Sequence, residues 1–572
     1  MKYLPLIGIV GTLLAQGFSL DREAFTFTDY HLDVRVESGQ QRLAVRGTIT
    51  LRNDSSSPQK NAALQISSSL TWRSVQSGGK PLQFVSQPYE SDIDHTGELS
   101  EAIVTFLQAV PPGGTVDLSI GYEGVILLDA TRLTRLGIPK ETAVRSDWDQ
   151  ISKSFTAVRG VGYVAWYPVA MEAANLAEGN AVFETVGRWK KRHENSGMSV
   201  TFGATGVMKQ DDIDFSATPI LLTRVNLDLS DPAKYRAFSI ARFNSDVPTF
   251  VLANYQRLSA KGVAVVEYQS DKDAAAACLD VLDKINSSVG VGRFGDELRV
   301  FESADPNAAP FATEMIVLTP LKVPVPRSTE LMLAYALGRE QVRSPRWWIR
   351  DGLGRYAQAL YLRQKNGRES ALNYLSSRLS ILVEAEKGIG SGDHKGKENS
   401  QEDSALINSA DEAYVQTKAM YVWWMLNDML DDRLFDSMLS YEGSSDRTPD
   451  YLQHLLESKT KRDLQWFFND WVYHDRGLPD FRVESAYSHE AAQGNYLLTV
   501  TIENLGGAGA EVPVIVRFDD GETTERLQVR GKAKGVMRIR TPKPPTEIVV
   551  NDGSVPESDT TNNVFKMESA TR

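Results

Sequence analysis

The chain has 572 residues, 42% hydrophobic and 24% charged, ordinary proportions for folded domains and too long for a single core, so about three domains are expected. The formal net charge of -12 argues against nucleic acid or an anionic membrane surface as the main partner. Cys278 is the single cysteine, which excludes an intramolecular disulfide. Its alanine-rich surroundings, Ala274 to Leu282, suit a small buried hydrophobe.

Residues 1–19 read as a secretory signal. Lys2 supplies a positive start, Leu4 to Leu14 a short apolar run, and Ala15-Gln16-Gly17 small residues for cleavage. The run falls short of the ~20 residues that span a bilayer. The expected protein is exported, periplasmic or extracellular, with no membrane span after cleavage.

From 20 to about 268 strands dominate. Tyr30, Leu32, Val34 and Val36 alternate with polar residues, Leu43 to Leu51 continue after a turn, and Pro111-Pro112-Gly113-Gly114 leads into Val116, Leu118 and Ile120. From 269 to 479 the period becomes helical. Helices are expected over Asp271–Ile285, Thr329–Val342 behind Ser328, Ile349–Leu362 and Ala413–Leu430, with a strand at Leu298–Phe301. Thr448-Pro449 reads as a cap and first helical position, and Asp463–Tyr473 as a further helix. Lys387 to Ser404, rich in Gly, Ser, Lys and Glu, reads as a loop. From 480 to 562 short alternating runs return, with Asp520-Gly521 as a hairpin turn, and 563–572 read as a tail.

Several strings imitate motifs. Gly290, Gly292 and Gly295 match a dinucleotide fingerprint, but a helix precedes them and a strand follows, the reverse of the required order. Asp92-Ile93-Asp94-His95 and His193-Glu194 contain metal-ligand types without completing ligand spacing, and they read as solvated surface residues.

Farther along, Trp347-Trp348-Ile349-Arg350-Asp351-Gly352 is similar to a Trp-Leu-x-Glu-Gly segment. Lys418-Ala419-Met420 is similar to a Tyr-x-Lys-Gly helix. Leu464, Phe467, Phe468, Trp471, Gly477 and Pro479 match a Leu-x-x-Phe-Phe-x-x-Trp…Gly-x-Pro ending. With Tyr30-x-Leu32-x-Val34, Gly47 and Pro112-Gly113 before them, the order resembles the alanyl-aminopeptidase (gluzincin) family of zinc metallopeptidases. The resemblance implies a multidomain α+β architecture: an N-terminal β-saddle domain (20–268), a thermolysin-like, mostly helical catalytic-type domain (269–479) and a C-terminal β-sandwich (480–562).

That family carries His-Glu-x-x-His on one helix and a Glu as third zinc ligand on the next. Here the helix reads Leu333-Ala334-Tyr335-Ala336-Leu337-Gly338-Arg339-Glu340, and no histidine lies between His193 and His394. The resemblance places Tyr335 and Arg339 at the histidine positions, Ala336 at the general base and Asp351 at the third ligand. Gln416 stands where the family has the tyrosine of the tetrahedral intermediate, with Tyr414 two residues away. The Gly-x-Met-Glu-Asn strand has no counterpart; the nearest stretch is Ala312 to Ile316. A catalytic zinc needs about three N or O ligands and a base for its water. A guanidinium ~4 Å from a dication is repelled by roughly 8 kcal/mol at an effective dielectric of ~20.

The expected protein is a pseudo-peptidase that binds a peptide or protein ligand in its cleft, with no cofactor. The alternative is an active metallo-aminopeptidase that cleaves N-terminal residues with zinc in a displaced or non-standard site. Without metal, Arg339 and Asp351 are expected to form an ion pair between the two helices.

Overall fold

The structure, a computed structural model, describes residues 20–205, 236–240, 242–244, 246–253, 255–260, 264–269, 271–289, 298–313, 316–390, 405–491 and 494–567. The expected signal segment and the Gly290–Gly295 string lie outside them.

Alternation drives the first block. Tyr30, Leu32, Val34 and Val36 are buried while His31 and Arg35 face outward, the period-2 outcome of a strand with one apolar face. A register irregularity between Phe27 and Asp29 switches the phase, so Phe25 and Phe27 point to the core as well. This strand, Phe25–Glu37, pairs antiparallel with Arg42–Asn53 and parallel with Gly197–Thr205. The two pairings place it inside a seven-stranded sheet. At Gly47 a Cβ would fall 2.0 Å from the His31 carbonyl oxygen, so only glycine permits that approach. A three-stranded sheet, Gln59–Ser67, Glu98–Val110 and Gln83–Glu90, completes a shared core.

One helix of this block, α1 (Ala181–Arg192), escaped the strand-dominated reading. Val182, Thr185, Val186 and Trp189 are its buried face, an i, i+3, i+4, i+7 pattern that the sequence does carry.

The expected division at residue 268 falls inside a sheet. Strands Gln256–Ala260 and Ala264–Tyr268 join Leu298–Glu302, Ile316–Thr319 and Phe311–Thr313 in one five-stranded mixed sheet. Helix α2 (Lys272–Val289) lies between two of its parallel strands in the chain, so the sheet needs both sides of that boundary. The second block is therefore less purely helical than expected. Cys278, on α2, is fully buried, and burial pushes its thiol up to about 12, which leaves it unreactive.

Three helices build the centre: α3 (Arg327–Arg339), α4 (Trp347–Asn366) and α5 (Glu412–Leu430). Pro326, not Ser328, sits at the N-cap of α3, and the helix stops at Arg339 rather than Val342. Asp411 caps α5 by accepting from the Tyr414 amide at 3.1 Å. Thr448 and Pro449 form a turn ahead of the helix Tyr451–Thr460, whose N-cap is Asp450. Gln465–Phe468 continues as a π-helical turn over Asn469–Tyr473. Part of the expected 387–404 loop is helix, since Leu379–Gly390 runs through its first residues; positions 391–404 lie outside the described residues.

At the C-terminus, Phe481–Glu490, Tyr496–Asn504 and Lys534–Thr541 form one sheet. Gly521–Val529, Ala510–Phe518, Glu547–Val550 and Val564–Lys566 form another. The last strand corrects the expected tail, because Val564–Lys566 pairs with Glu547–Val549 and Phe565 packs on the core. Val500, Val514 and Val516 of these sheets share one continuous core with Trp423, Phe467 and Trp471 of the helices. No helix among the described residues is long and apolar enough to cross a membrane.

Candidate functional site

Helices α3 and α4 cross at van der Waals distance because glycines face each other. A Cβ on Gly338 would lie 2.5 Å from the Ala357 Cβ, and one on Gly354 would lie 2.7 Å from both Arg339 Cγ and Tyr335 Cδ2. Tyr335 and Arg339, one turn apart, therefore share the face of α3 that meets α4. Ala336 is fully buried in the neighbouring apolar cluster, away from that face.

At the crossing Arg339 is 3% exposed. Its Nε lies 2.8 Å from Asp351 Oδ1, an ion-pair contact in which the N–H is not aligned for a hydrogen bond. Its Nη1 donates to Asp246 Oδ1 at 2.9 Å. Arg350 reaches Glu340 at 2.9 Å and Asp246 at 3.6 Å. Asp351 Oδ2 accepts from the Trp347 indole at 2.5 Å and from the Gln416 amide at 3.2 Å. Gln416 Oε1 in turn accepts from Arg355 Nε at 3.0 Å, and the Arg355 guanidinium lies 4.8 Å from the Tyr335 ring centre. Arg339, Arg350 and Arg355 thus meet Asp246, Asp351 and Glu340 in near balance of charge.

Burial by itself would lower the Arg339 pKa. Asp246 and Asp351 outweigh it and hold the guanidinium well above its ordinary value. Burial, then the Asp351 charge, push the Tyr335 hydroxyl up, so it stays protonated.

Of the positions singled out from the sequence, Tyr335, Arg339, Asp351 and Gln416 come together. Tyr414 does not join them. Its hydroxyl donates to Asp475 Oδ2 at 2.9 Å and accepts from Lys418 Nζ at 2.7 Å. Residues 414 and 416 differ by about 200° around a helix, so they serve opposite sides. Burial, then Asp475, raise the Tyr414 pKa well above its ordinary value. Asp246 went unnoticed. It sits in a loop of the first block, 93 residues from Arg339, and no local pattern marks it. Of the Ala312 to Ile316 stretch, Glu314 and Met315 lie outside the described residues.

In the two histidine-bearing strings, Asp92, Asp94, His95 and His193 are buried structure rather than solvated surface, while Glu194 is exposed as expected. His193 Nε2 accepts from the Phe27 amide at 3.1 Å, and Nδ1 lies 2.8 Å from the Trp189 carbonyl. Burial drives the His193 pKa well below its ordinary value. Asp94 is wholly buried and accepts from the Ala165 amide at 2.9 Å and Ser67 Oγ at 3.0 Å. His95 is 1% exposed beside it.

Zinc does not fit the crossing. Both Asp351 oxygens are engaged by Arg339, Trp347 and Gln416, and a buried cation stands where the resemblance expects a neutral ligand. Among the described residues no group of three or more His, Cys, Asp or Glu side chains is placed to hold a metal.

No protein-family profile matches this sequence, and no curated protein matches it. Solved structures do. An M1 zinc metallopeptidase from Deinococcus radiodurans, bound to a Tyr-Ser-Ala substrate, is 14% identical over 79% of this chain and 95% of its own, with a TM-score of 0.42. Legionella pneumophila aminopeptidase A, in complex with aspartic acid, is 12% identical over 95% of this chain, with a TM-score of 0.52. This chain spans 60% of that aminopeptidase's length. The described protein, a mixed α+β chain with several sheets around a helical centre, has the fold of that aminopeptidase.

Proposed function

We propose that this protein is an exported pseudo-peptidase, an aminopeptidase scaffold that binds a peptide or protein chain without zinc-dependent hydrolysis. In this reading the first block is the saddle domain, the central block the thermolysin-like domain and the last block the β-sandwich. The supporting observation is the buried Arg339 between Asp351 and Asp246. A guanidinium on the helix face that would present metal ligands repels a dication. Ala336 supplies no base, and Tyr335 stays a neutral phenol. Nucleophile activation and proton transfer thus lack their groups together.

The purified protein tests this directly. Zinc content by elemental analysis should be far below one per chain, and alanyl- and leucyl-anilides should survive incubation. Stoichiometric zinc with chelator-sensitive anilide cleavage would sink the reading and establish an active metallo-aminopeptidase with a displaced site.

A further inference from the structure

Beside the charge cluster lies a cleft of about 370 Å³, toward the small end of the ~300–1,000 Å³ typical of ligand pockets. Lys190 and Lys191 at the C-terminal end of α1, with Arg242, form one side. Arg346, Trp348 and Arg350 form the other. Five cations therefore line it, against the carboxylates of Glu194 and Asp446 alone.

The wider neighbourhood is close to neutral, so the sum of charge is not the point; placement is. Lys190 pairs with Glu412, and Arg350 with Glu340 at 2.9 Å, yet neither carboxylate lines the cleft. Asp446 does line it, but it accepts from Arg346 at 2.7 Å and from the Tyr441 hydroxyl. Most acceptors thus sit behind the wall or are engaged, with Glu194 the exposed carboxylate at the rim, while the donors border the open space. Lys191 and Arg242 are exposed at this cleft, with Lys191 resting on the Asn408 carbonyl. One wall residue also carries an unmet hydrogen-bond donor. Trp348 is 3% exposed, yet its indole N–H has no hydrogen-bond partner. A buried donor left unmade is costly, and Trp348 is one of the residues that line this cleft.

We propose that this cleft binds a carboxylate of a peptide chain, carried by an acidic side chain or by a free C-terminus. The proposal rests on the binding reading above for the ligand being a peptide. The zinc and anilide measurements test that reading without involving this cleft, so the two fail separately.

The probes are fluorescently labelled tetraglutamate amide, tetra-alanine with a free C-terminus, tetra-alanine amide and tetralysine amide, titrated against the full chain by anisotropy. At least one of the first two should bind saturably, and which one does identifies the source of the carboxylate. Raising salt from about 0.05 to 0.5 M should weaken it, because screening shortens the reach of the exposed cations. The double variant Lys191→Glu/Arg242→Glu, at exposed positions, should lose at least about tenfold in affinity, roughly 1.4 kcal/mol. Circular dichroism confirms the fold of the variant. Absence of saturable binding by both carboxylate peptides, equal binding of either amide control, or folded double-variant protein with unchanged affinity overturns the proposal.

Discussion

Arg339 is held from two sides, which makes the members of its cluster unequal. Replacing Asp351 by Ala leaves the guanidinium in contact with Asp246, so part of the compensation survives. Replacing Arg339 by Met removes the cation between two nearly buried carboxylates, Asp246 and Asp351 at 8% and 3% exposure, leaving Asp351 its hydrogen bonds from Trp347 and Gln416 and Asp246 the more distant Arg350 at 3.6 Å. Breaking a buried ion pair typically costs about 3–5 kcal/mol. Arg339→Met should fall in that range and Asp351→Ala below it, measured by denaturant unfolding. The double change Arg339→Met/Asp351→Ala should cost clearly less than the two single costs added. Equal, additive effects under ~1 kcal/mol would mean that the cluster is solvated and carries no lock.

At the scale of elements, the crossing of α3 over α4 depends on the glycines between them. Gly354→Ala would put a methyl group 2.7 Å from Arg339 Cγ and Tyr335 Cδ2, too close for the fully packed helices to absorb. Overpacking of this kind costs about 1–3 kcal/mol, and it separates the face that brings Arg339 to Asp351. The expected outcome is a lower unfolding midpoint with an unchanged denaturant slope. An unchanged midpoint would show that the helices do not approach as closely as described. Both glycines were visible in the sequence, but a helix glycine reads there only as a weak helix former. The partner that makes it necessary lies on another helix.

For the whole molecule, the continuity of the core matters most. The last block is not an appended module. Trp471 donates its indole N–H to the Gly509 carbonyl at 2.8 Å, Asp470 accepts from the Gly509 amide at 2.9 Å, and the valines of both sheets pack with the central helices. Cutting the chain after Pro479 would remove the face that covers Phe467 and Trp471, both fully buried. That truncated chain should aggregate or elute in the void on size-exclusion chromatography. A monodisperse, cooperatively folding fragment would show that the two blocks have separate cores. The first block is tied in both by an apolar cluster of Trp148, Phe155 and Val251 with Phe301, Ile316 and Leu318 and by polar contacts. Asn180 donates to Asp411 at 3.0 Å and Lys190 meets Glu412, joining α1 to the start of α5 through polar contacts.

The sequence by itself determined the local periods and the chemistry of the site. Period-2 alternation at Tyr30 to Val36 and in the C-terminal runs specified strands, and α2, α3, α4 and α5 were legible as long runs without Pro, though α3 and α5 are buried on nearly every side. The pairing of Arg339 with Asp351 was also legible, since opposite charges on two helices that must meet have few other stable arrangements. Tertiary structure alone decided which sheet a strand would enter. The apolar run Val265-Val266 suits any buried strand, so the division at residue 268 was misplaced, and Val564–Lys566 looked too short to pair. It alone brought Asp246 to Arg339 and left Tyr414 with Asp475, because a side chain's partners across 93 residues depend on how blocks dock. It also turned Asp94, His95 and His193 from surface candidates into buried structure. Local polarity does not reveal that backbone groups elsewhere in the fold will satisfy the Asp94 carboxylate and the His193 imidazole.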